Sequence, residues 1–182
     1  MSRYFSIILG VIGLSFAIYE FKKTKIEPMN GLGKLAFKKP PKVRIIYSRK
    51  DEPEDRKKVS SSRDVFRCLQ KIWSSQIETR EEMFVLLLNR NNEILGYHQL
   101  SMGGITGTVA DIRLLFATAI QSLATSIIIA HNHPSGKLKP SDADLQLTQK
   151  VKEAGKLLDI SLLDHLIVTK SAYYSFADEG DL

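Results

Sequence analysis

The stretch from His131 to Asp144 places metal-ligand side chains between a strand-like run and a helix-like run, so the chain here must fold as strand, loop and helix. Residues 126–130 read Ser-Ile-Ile-Ile-Ala, a short β-branched run that is typical of a buried strand. Pro134 and Gly136 end the strand, and the loop runs to Pro140. Residues 142–158 are predicted to form an amphipathic helix from the spacing of their apolar side chains: Leu145, Leu147, Val151, Ala154, Leu157 and Leu158.

His131 and His133 are spaced to bind one ion, because side chains at i and i+2 of an extended chain share a face. Asp144 lies in the first turn of the predicted helix and offers a carboxylate. Two imidazoles and one carboxylate leave a tetrahedral zinc ion with an open position for water, as in catalytic rather than structural sites. The pattern therefore predicts a catalytic Zn²⁺ site held by His131, His133 and Asp144.

Each part of this pattern also has an ordinary structural explanation. Most His-x-His pairs are surface or core histidines, and Ser141 followed by Asp144 is typical of a helix N-cap. The two explanations are compatible, because a cap would fix the turn that aims Asp144 at the histidines.

The complete pattern, His131-x-His133 followed after seven residues by Ser141-x-x-Asp144, resembles the JAMM motif of the MPN+ metalloprotease superfamily. That superfamily includes deubiquitinating isopeptidases. Asn132 stands where the isopeptidases usually carry Ser or Thr.

A narrower resemblance is to the RadC family of bacterial JAMM-domain proteins, which carry Asn at that position. It is carried by residues 131–136, 139–141 and 163–168, and it extends from about residue 60 to a closing segment at residues 174–180. It implies an α/β fold with a JAMM/MPN-type mixed β-sheet flanked by helices, in a cytidine-deaminase-like layering. The sequence does not predict the order of the strands.

The resemblance implies a zinc-dependent metallohydrolase, a peptidase or isopeptidase-like enzyme that hydrolyses an amide bond in an unidentified peptide or protein substrate. The alternative is a non-catalytic protein-interaction or DNA-repair-associated module that keeps the metal site. A nucleic-acid partner is suggested by the family's DNA-repair label alone.

A general base is still required to move the proton of the attacking water. JAMM enzymes place a Glu just before the strand that neighbours the metal strand, and this position offers Glu81 and Glu82. RadC-like spacing to Asn89 favours Glu81 as the catalytic base, with Glu82 as the alternative. The resemblance also implies that Ser141 donates a hydrogen bond to the developing oxyanion.

The two remaining histidines receive structural interpretations. His98 is predicted to be a surface residue. His165 follows Asp164 in an apolar strand, where a hydrogen-bonded structural histidine is favoured over a partner of a metal ligand.

Other elements follow from capping residues and apolar spacing. Residues 60–73 predict a helix, 83–89 and 93–100 a hairpin, and 161–169 a closing strand. Residues 111–123 predict a second helix with this buried face: Ile112, Leu115, Phe116, Ala119, Ile120 and Leu123.

Cys68 is the single cysteine, so an intrachain disulfide is excluded and a reducing, cytoplasmic compartment is favoured. The absence of a Cys-x-x-Cys pair also excludes a zinc nucleobase deaminase.

The net charge of +6 does not indicate a nucleic-acid surface on the predicted domain. Residues 1–60 hold 14 Lys and Arg against 6 acidic residues, whereas residues 61–182 hold 12 against 14. The basic excess therefore belongs to the N-terminal part, and the region with the metal motif is slightly acidic.

Residues 4–19 carry no charged side chain, and residues 1–21 are predicted to be an apolar helix that contacts a membrane through residues 4–21 or anchors in it, with the domain in the cytoplasm. As a helix the uncharged run spans about 24 Å, short of the roughly 30 Å of a bilayer core. A start at Met29 is the alternative interpretation, and a cleavable signal peptide is disfavoured. Residues 22–59 are predicted to be a basic flexible linker, and residues 60–182 the RadC-like JAMM/MPN domain.

Overall fold

The computed structural model describes residues 57–104 and 110–182, and the predicted N-terminal apolar helix and residues 22–56 of the predicted linker lie outside them. The helices are α1 (Ser62–Ile72), α2 (Ile112–Gln121), α3 (Asp142–Leu157) and α4 (Phe176–Glu179). The strands are β1 (Glu82–Leu88), β2 (Ile94–Met102), β3 (Ser126–Asn132), β4 (Ser161–Val168) and β5 (Tyr173–Ser175). Across these two ranges, no helix has the length and apolar character needed to span a membrane.

The five strands form one mixed sheet in the order β2-β1-β3-β4-β5. β1 pairs antiparallel with both β2 and β3, β3 pairs parallel with β4, and β4 pairs antiparallel with β5. The parallel pair is connected through α3, which gives a strand–helix–strand unit with the predicted metal motif at its first turn. The order of predicted elements from the first helix to the closing strand is confirmed.

Helices cover both faces of this sheet. Alternate residues of β1 and β3, including Met83, Val85, Ile127 and Ile129, pack against α2 and α3, and we call this side the α2–α3 face. The intervening residues pack against α1 through its buried Val65, Phe66 and Leu69, and we call that side the α1 face. Burial on both faces explains the continuous apolar runs of β1 and β3, whose residues are all buried.

The helices begin where short polar side chains can cap them. Ser61, Asp111 and Ser141 precede α1, α2 and α3, and each accepts a hydrogen bond from a backbone N–H of the first turn. Before α1, the backbone of residues 57–59 pairs with the start of β2, and Val59 is buried on the α1 face.

The buried faces of two helices differ from those predicted. Ile120 and Leu123 are 48% and 50% exposed, so the buried face of α2 is Leu115, Phe116 and Ala119. In α3 the buried residues are Asp144, Thr148, Val151 and Gly155, while three predicted apolar-face residues are exposed: Leu145, Leu157 and Leu158. The predicted face of α3 was its most apolar one. In the structure α3 is rotated so that polar residues face the end of β3.

The closing segment contributes β5 and the short helix α4, which apolar spacing did not predict. The buried carboxylate of Asp164 holds this segment by accepting hydrogen bonds from Ser175 Oγ at 2.6 Å and from the backbone N–H of Ala177 at 3.0 Å. The fully buried Phe176 then stacks on His165, with ring centroids 4.5 Å apart.

Gly155 is required for the close approach between the end of α3 and the start of β4. A Cβ built there would lie 2.3 Å from the backbone oxygen of Ile160. We expect Gly155→Ala to destabilise the fold by about 1–3 kcal/mol, although Gly to Ala in an unhindered helix gains about 1 kcal/mol. Chemical denaturation measures this difference.

Gly96→Ala is the matched control, because its added Cβ meets no heavy atom within 4 Å. Equal stability of the two variants would contradict the close-approach argument.

Candidate metal centre

Three ligand atoms converge where β3 ends and α3 begins. His131 Nε2 lies 3.0 Å from both His133 Nε2 and Asp144 Oδ1, and His133 Nε2 lies 3.5 Å from Asp144 Oδ2. The structure thus brings the three predicted metal ligands into one cluster.

The alternation of β3 determines where the histidines point. His131 follows Ile127 and Ile129 at spacings of two and pairs with Met83 of β1, so it continues the α2–α3 face. It is 2% exposed, whereas His133, just beyond the strand, is half-buried. Of the two predicted ligands, one is therefore buried in the fold and the other is half-buried.

Asp144 is aimed by the cap of its own helix. Ser141 Oγ accepts from the backbone N–H of Asp144, and Asp144 Oδ2 accepts from the backbone N–H and the hydroxyl of Ser141 at 2.7 and 2.6 Å. This capping box fixes the carboxylate while leaving Oδ1 directed at His131. The structural and functional interpretations of Ser141 and Asp144 are therefore both compatible with the geometry.

His133 is oriented by the loop that follows it. Gly136 has a φ of +76°, which permits the tight turn in which its N–H donates to the carbonyl of His133. The turn returns the carbonyl of Lys137 to 2.7 Å from His133 Nδ1. A carbonyl can only accept, so the Nδ1 proton donates to it and the Nε2 lone pair is left facing the cluster.

The charges of the cluster are strongly coupled. Burial alone would raise the pKa of Asp144, but the adjacent His131 and His133 rings hold it well below its usual range. The pKa of His133 is raised, first by the neighbouring Asp144 carboxylate, which favours the protonated ring, and to a smaller degree by the charge on Glu81. The carboxylate is therefore ionised and already partnered with the ligand nitrogens.

His165 is fully buried and lies directly behind His131. Its Nε2 lies 2.9 Å from His131 Nδ1, and its Nδ1 lies 2.6 Å from Thr148 Oγ1. Burial lowers the pKa of His165 well below its usual range. Sequence reasoning favoured a structural histidine here, but its ring contacts a predicted ligand directly.

The donor set and its spacing fit zinc. Nitrogen ligands at about 2.0–2.1 Å from a tetrahedral zinc ion lie roughly 3.3–3.4 Å apart. The separations of 3.0–3.5 Å in this cluster bracket that value. Neutral imidazole and carboxylate are also the ligands of catalytic zinc sites, which keep a fourth position for water.

The two candidate bases lie on opposite faces of β1. By strand alternation Glu81 shares the α2–α3 face with Met83, and it is half-buried and close enough to His133 to affect its pKa. Glu82 is fully buried on the α1 side, where its Oε1 accepts a hydrogen bond from Ser74 at 2.7 Å. Its Oε2 is buried and has no hydrogen-bond partner among the described residues. The geometry therefore supports Glu81 over Glu82 as the residue facing the cluster.

Asn132 has a structural role that the motif comparison did not reveal. Its Oδ1 accepts from the backbone N–H of Glu82 at 2.7 Å, and its Nδ2 donates to the carbonyls of Ile77 and Arg80 at 2.6 and 2.7 Å. The buried amide thus connects the histidine strand to the chain just before Glu81. By contrast, His98 lies in β2 opposite Val85, is half-buried rather than fully exposed, and is not part of the cluster.

Comparison with protein families identifies this arrangement. Residues 59–181 match the RadC-like JAB domain, which is more than half of the chain. The chain belongs to the RadC family.

Curated relatives of this RadC-family chain carry the name UPF0758 protein. The one from Flavobacterium johnsoniae is 50% identical over 124 residues, covering 68% of this chain and 53% of the relative. The one from Porphyromonas gingivalis is 46% identical over 126 residues, covering 69% and 55%. A relative from Streptococcus gordonii is 35% identical over 161 residues, covering 87% and 70%. The chain therefore spans about half the length of the first two relatives.

The hydrogen bonds of Asn132 predict that its replacement destabilises this RadC-like domain. Asn132→Ala would leave the buried N–H of Glu82 without its partner, which costs about 1–3 kcal/mol, and would also remove the hydrogen bonds to the two part-buried carbonyls. We expect a clear decrease in the free energy of unfolding. Denaturant titration of the metal-free protein measures it, with the exposed Lys150→Ala as control. A decrease no larger than that of the control would contradict the assigned role.

Proposed function

We propose that this chain is a zinc-dependent metallohydrolase of the JAMM type, a peptidase or isopeptidase-like enzyme that hydrolyses an amide bond of a peptide or protein. The observation that carries the proposal is the convergence of His131 Nε2, His133 Nε2 and the Asp144 carboxylate within 3.0–3.5 Å. Family membership supports it, since the matching region is a RadC-like JAB domain. The proposed catalytic unit is residues 60–182.

His131, His133 and Asp144 would hold the ion, with the capping box and the Lys137 carbonyl orienting two of them. A bound zinc ion supplies a lowered pKa for its water and polarises a substrate carbonyl. The protein must then supply proton transfer, positioning and exclusion of bulk water. The 2% exposure of His131 places the inner wall of the site out of solvent.

Glu81 is the proposed general base and acid. From its half-buried position on the α2–α3 face it would take a proton from the attacking water and give it to the leaving nitrogen. Its effect on the pKa of His133 supports this placement. Glu82 remains the alternative base, although its carboxylate accepts a hydrogen bond from Ser74 on the opposite side of the strand.

Ser141 is the proposed donor to the oxyanion. Its hydroxyl donates at present to Asp144 Oδ2, and a hydroxyl has one proton to give. Donation to an oxyanion therefore requires the hydroxyl to rotate away from Asp144. The backbone N–H of Ser141 also donates to Asp144 Oδ2, so that carboxylate oxygen would keep a partner during the rotation.

Elemental analysis of the purified full-length chain tests the metal site first. We expect about one zinc ion per chain in the parent, since the cluster offers one set of three ligands. His131→Ala and Asp144→Ala should both lose the metal while circular dichroism reports a retained fold. A folded parent that takes up no zinc when zinc is supplied would reject the proposal and redirect attention to a non-catalytic module.

Screening of peptide and isopeptide libraries with the zinc-loaded chain tests the reaction, and a pair of isosteric variants assigns the base. We expect Glu81→Gln to abolish turnover without loss of zinc, because the amide cannot accept the water proton. Glu82→Gln should keep turnover. The reverse result would assign the base to Glu82, and failure of both variants to affect turnover would exclude this mechanism.

Zinc affinity should fall as pH decreases. The ligands bind as neutral imidazoles, and the pKa of His133 lies above its usual value of 6.5, so protons compete with zinc already near neutral pH. Acidification through that raised pKa should progressively weaken binding, and alkaline conditions should restore it. Competition titrations with a chelator from pH 5 to 8 measure the trend, and a pH-independent affinity would contradict it.

A further inference from the structure

The strongest unassigned feature is the buried hydrogen-bond chain behind His131, which joins Thr148 and His165 to a predicted ligand. We propose that Thr148 and His165 are positioning residues that hold the proton of His131 on Nδ1 and so leave its Nε2 lone pair available to the metal. This inference rests on the proposed metal site and adds two residues to it. Neither residue is itself a proposed metal ligand: His165 contacts the ring of His131, and Thr148 contacts the backbone carbonyl of Asp144.

A backbone carbonyl at one end of the hydrogen-bond chain determines which atom donates in each of its bonds. Thr148 Oγ1 donates to the carbonyl of Asp144, four residues earlier in α3, at 2.7 Å. A threonine hydroxyl has one proton, so toward His165 it can only accept. His165 Nδ1, 2.6 Å away, must therefore carry the proton of that bond.

The next hydrogen bond joins His165 to the proposed ligand His131. A neutral His165 with its proton on Nδ1 has a bare Nε2, and this atom lies 2.9 Å from His131 Nδ1. His131 Nδ1 then has to donate the proton between the two rings. A neutral His131 protonated on Nδ1 presents its lone pair on Nε2, the atom that lies 3.0 Å from Asp144 Oδ1.

Both ends of the hydrogen-bond chain lie at helix α3. Asp144 supplies a carbonyl to Thr148 and a carboxylate beside His131 Nε2, so α3 contacts both ends of the hydrogen-bond chain. The ring of contacts runs from Asp144 through Thr148 and His165 to His131 and back to Asp144. All four residues are buried, and Phe176 stacks on His165 from the other side.

Water therefore has little access to exchange or reverse these protons. If the network only satisfied buried polar groups, donors and acceptors could be exchanged in every hydrogen bond between the side chains. The Asp144 carbonyl is the exception, because it can only accept. That carbonyl is the acceptor that selects the direction useful for metal binding.

Thr148→Val and Thr148→Ser form the test pair, because direct replacement of the fully buried His165 could unfold the domain. Valine keeps the shape of threonine and removes the hydroxyl, whereas serine keeps the hydroxyl and can still donate to the carbonyl four residues earlier. Zinc affinity of the full-length parent and both variants is measured by chelator competition. Thermal melting of the metal-free proteins provides the stability comparison.

We expect Thr148→Val to weaken zinc binding by about 10- to 100-fold, the range typical for partners of metal-bound histidines, and Thr148→Ser to bind close to the parent. A valine variant that is folded and binds zinc as tightly as the parent would overturn the inference. If the parent binds no zinc, the proposed function fails together with the inference.

Nuclear magnetic resonance of the metal-free parent gives an answer that does not depend on any variant folding. With ¹⁵N-labelled histidine, the proton shared by the two rings should be bonded to His131 Nδ1, with a nitrogen–nitrogen coupling across the hydrogen bond to His165 Nε2. In the metal-free protein no ion on His131 Nε2 imposes this tautomer, so a purely structural role of Thr148 and His165 would leave the proton free to lie on either ring. A proton bonded to His165 Nε2 would overturn the proposal.

Discussion

The carboxylate of Asp144 is the interaction on which the site depends. A buried acid is unfavourable without partners, and Asp144 has them from two directions: Ser141 in its own helix cap, and His131 and His133 from the end of β3. The burial of this one group therefore couples the start of α3 to the end of β3. The nitrogen and oxygen atoms that meet there lie 3.0–3.5 Å apart, a spacing that fits a single metal ion.

The rest of the fold places and protects that contact. Both faces of β1 and β3 are apolar and covered by helices, so the ends of the strands are held by the core rather than by the loops. Asp164 anchors the closing segment, and Phe176 then covers His165. A polar layer comprising His165, Thr148 and Asp144 is thus enclosed at the end of an apolar sheet.

The distribution of roles along β1 also follows from the pleat. Adjacent carboxylates at Glu81 and Glu82 look equivalent in the sequence, but alternation directs one toward the cluster and the other toward Ser74. Asn132 ties this segment to the histidine strand through three hydrogen bonds. The position of the proposed base therefore depends on the same strand pairing that positions His131.

Local chemistry made much of this protein predictable from sequence. The β-branched run before His131, the turn at Pro134 and Gly136, and the cap at Ser141 are short-range signals, and the elements they predict are present. The candidate ligand set was predictable for the same reason, since the i and i+2 spacing and the first helical turn need no distant contacts. The strand order, the faces of β1 and the rotation of α3 were not.

These features were decided by tertiary structure, because they depend on which surfaces meet. Leu157 is apolar at helical spacing, yet it is 86% exposed, while polar Thr148 is buried because it can reach both Asp144 and His165. A hydropathy pattern indicates how readily each side chain leaves water for an apolar environment. It does not indicate a hydrogen-bond partner 17 positions away in the sequence. The sequence by itself thus determined the three residues of the candidate metal centre, and the packing of α3 against β3 and β4 decided which other residues surround them.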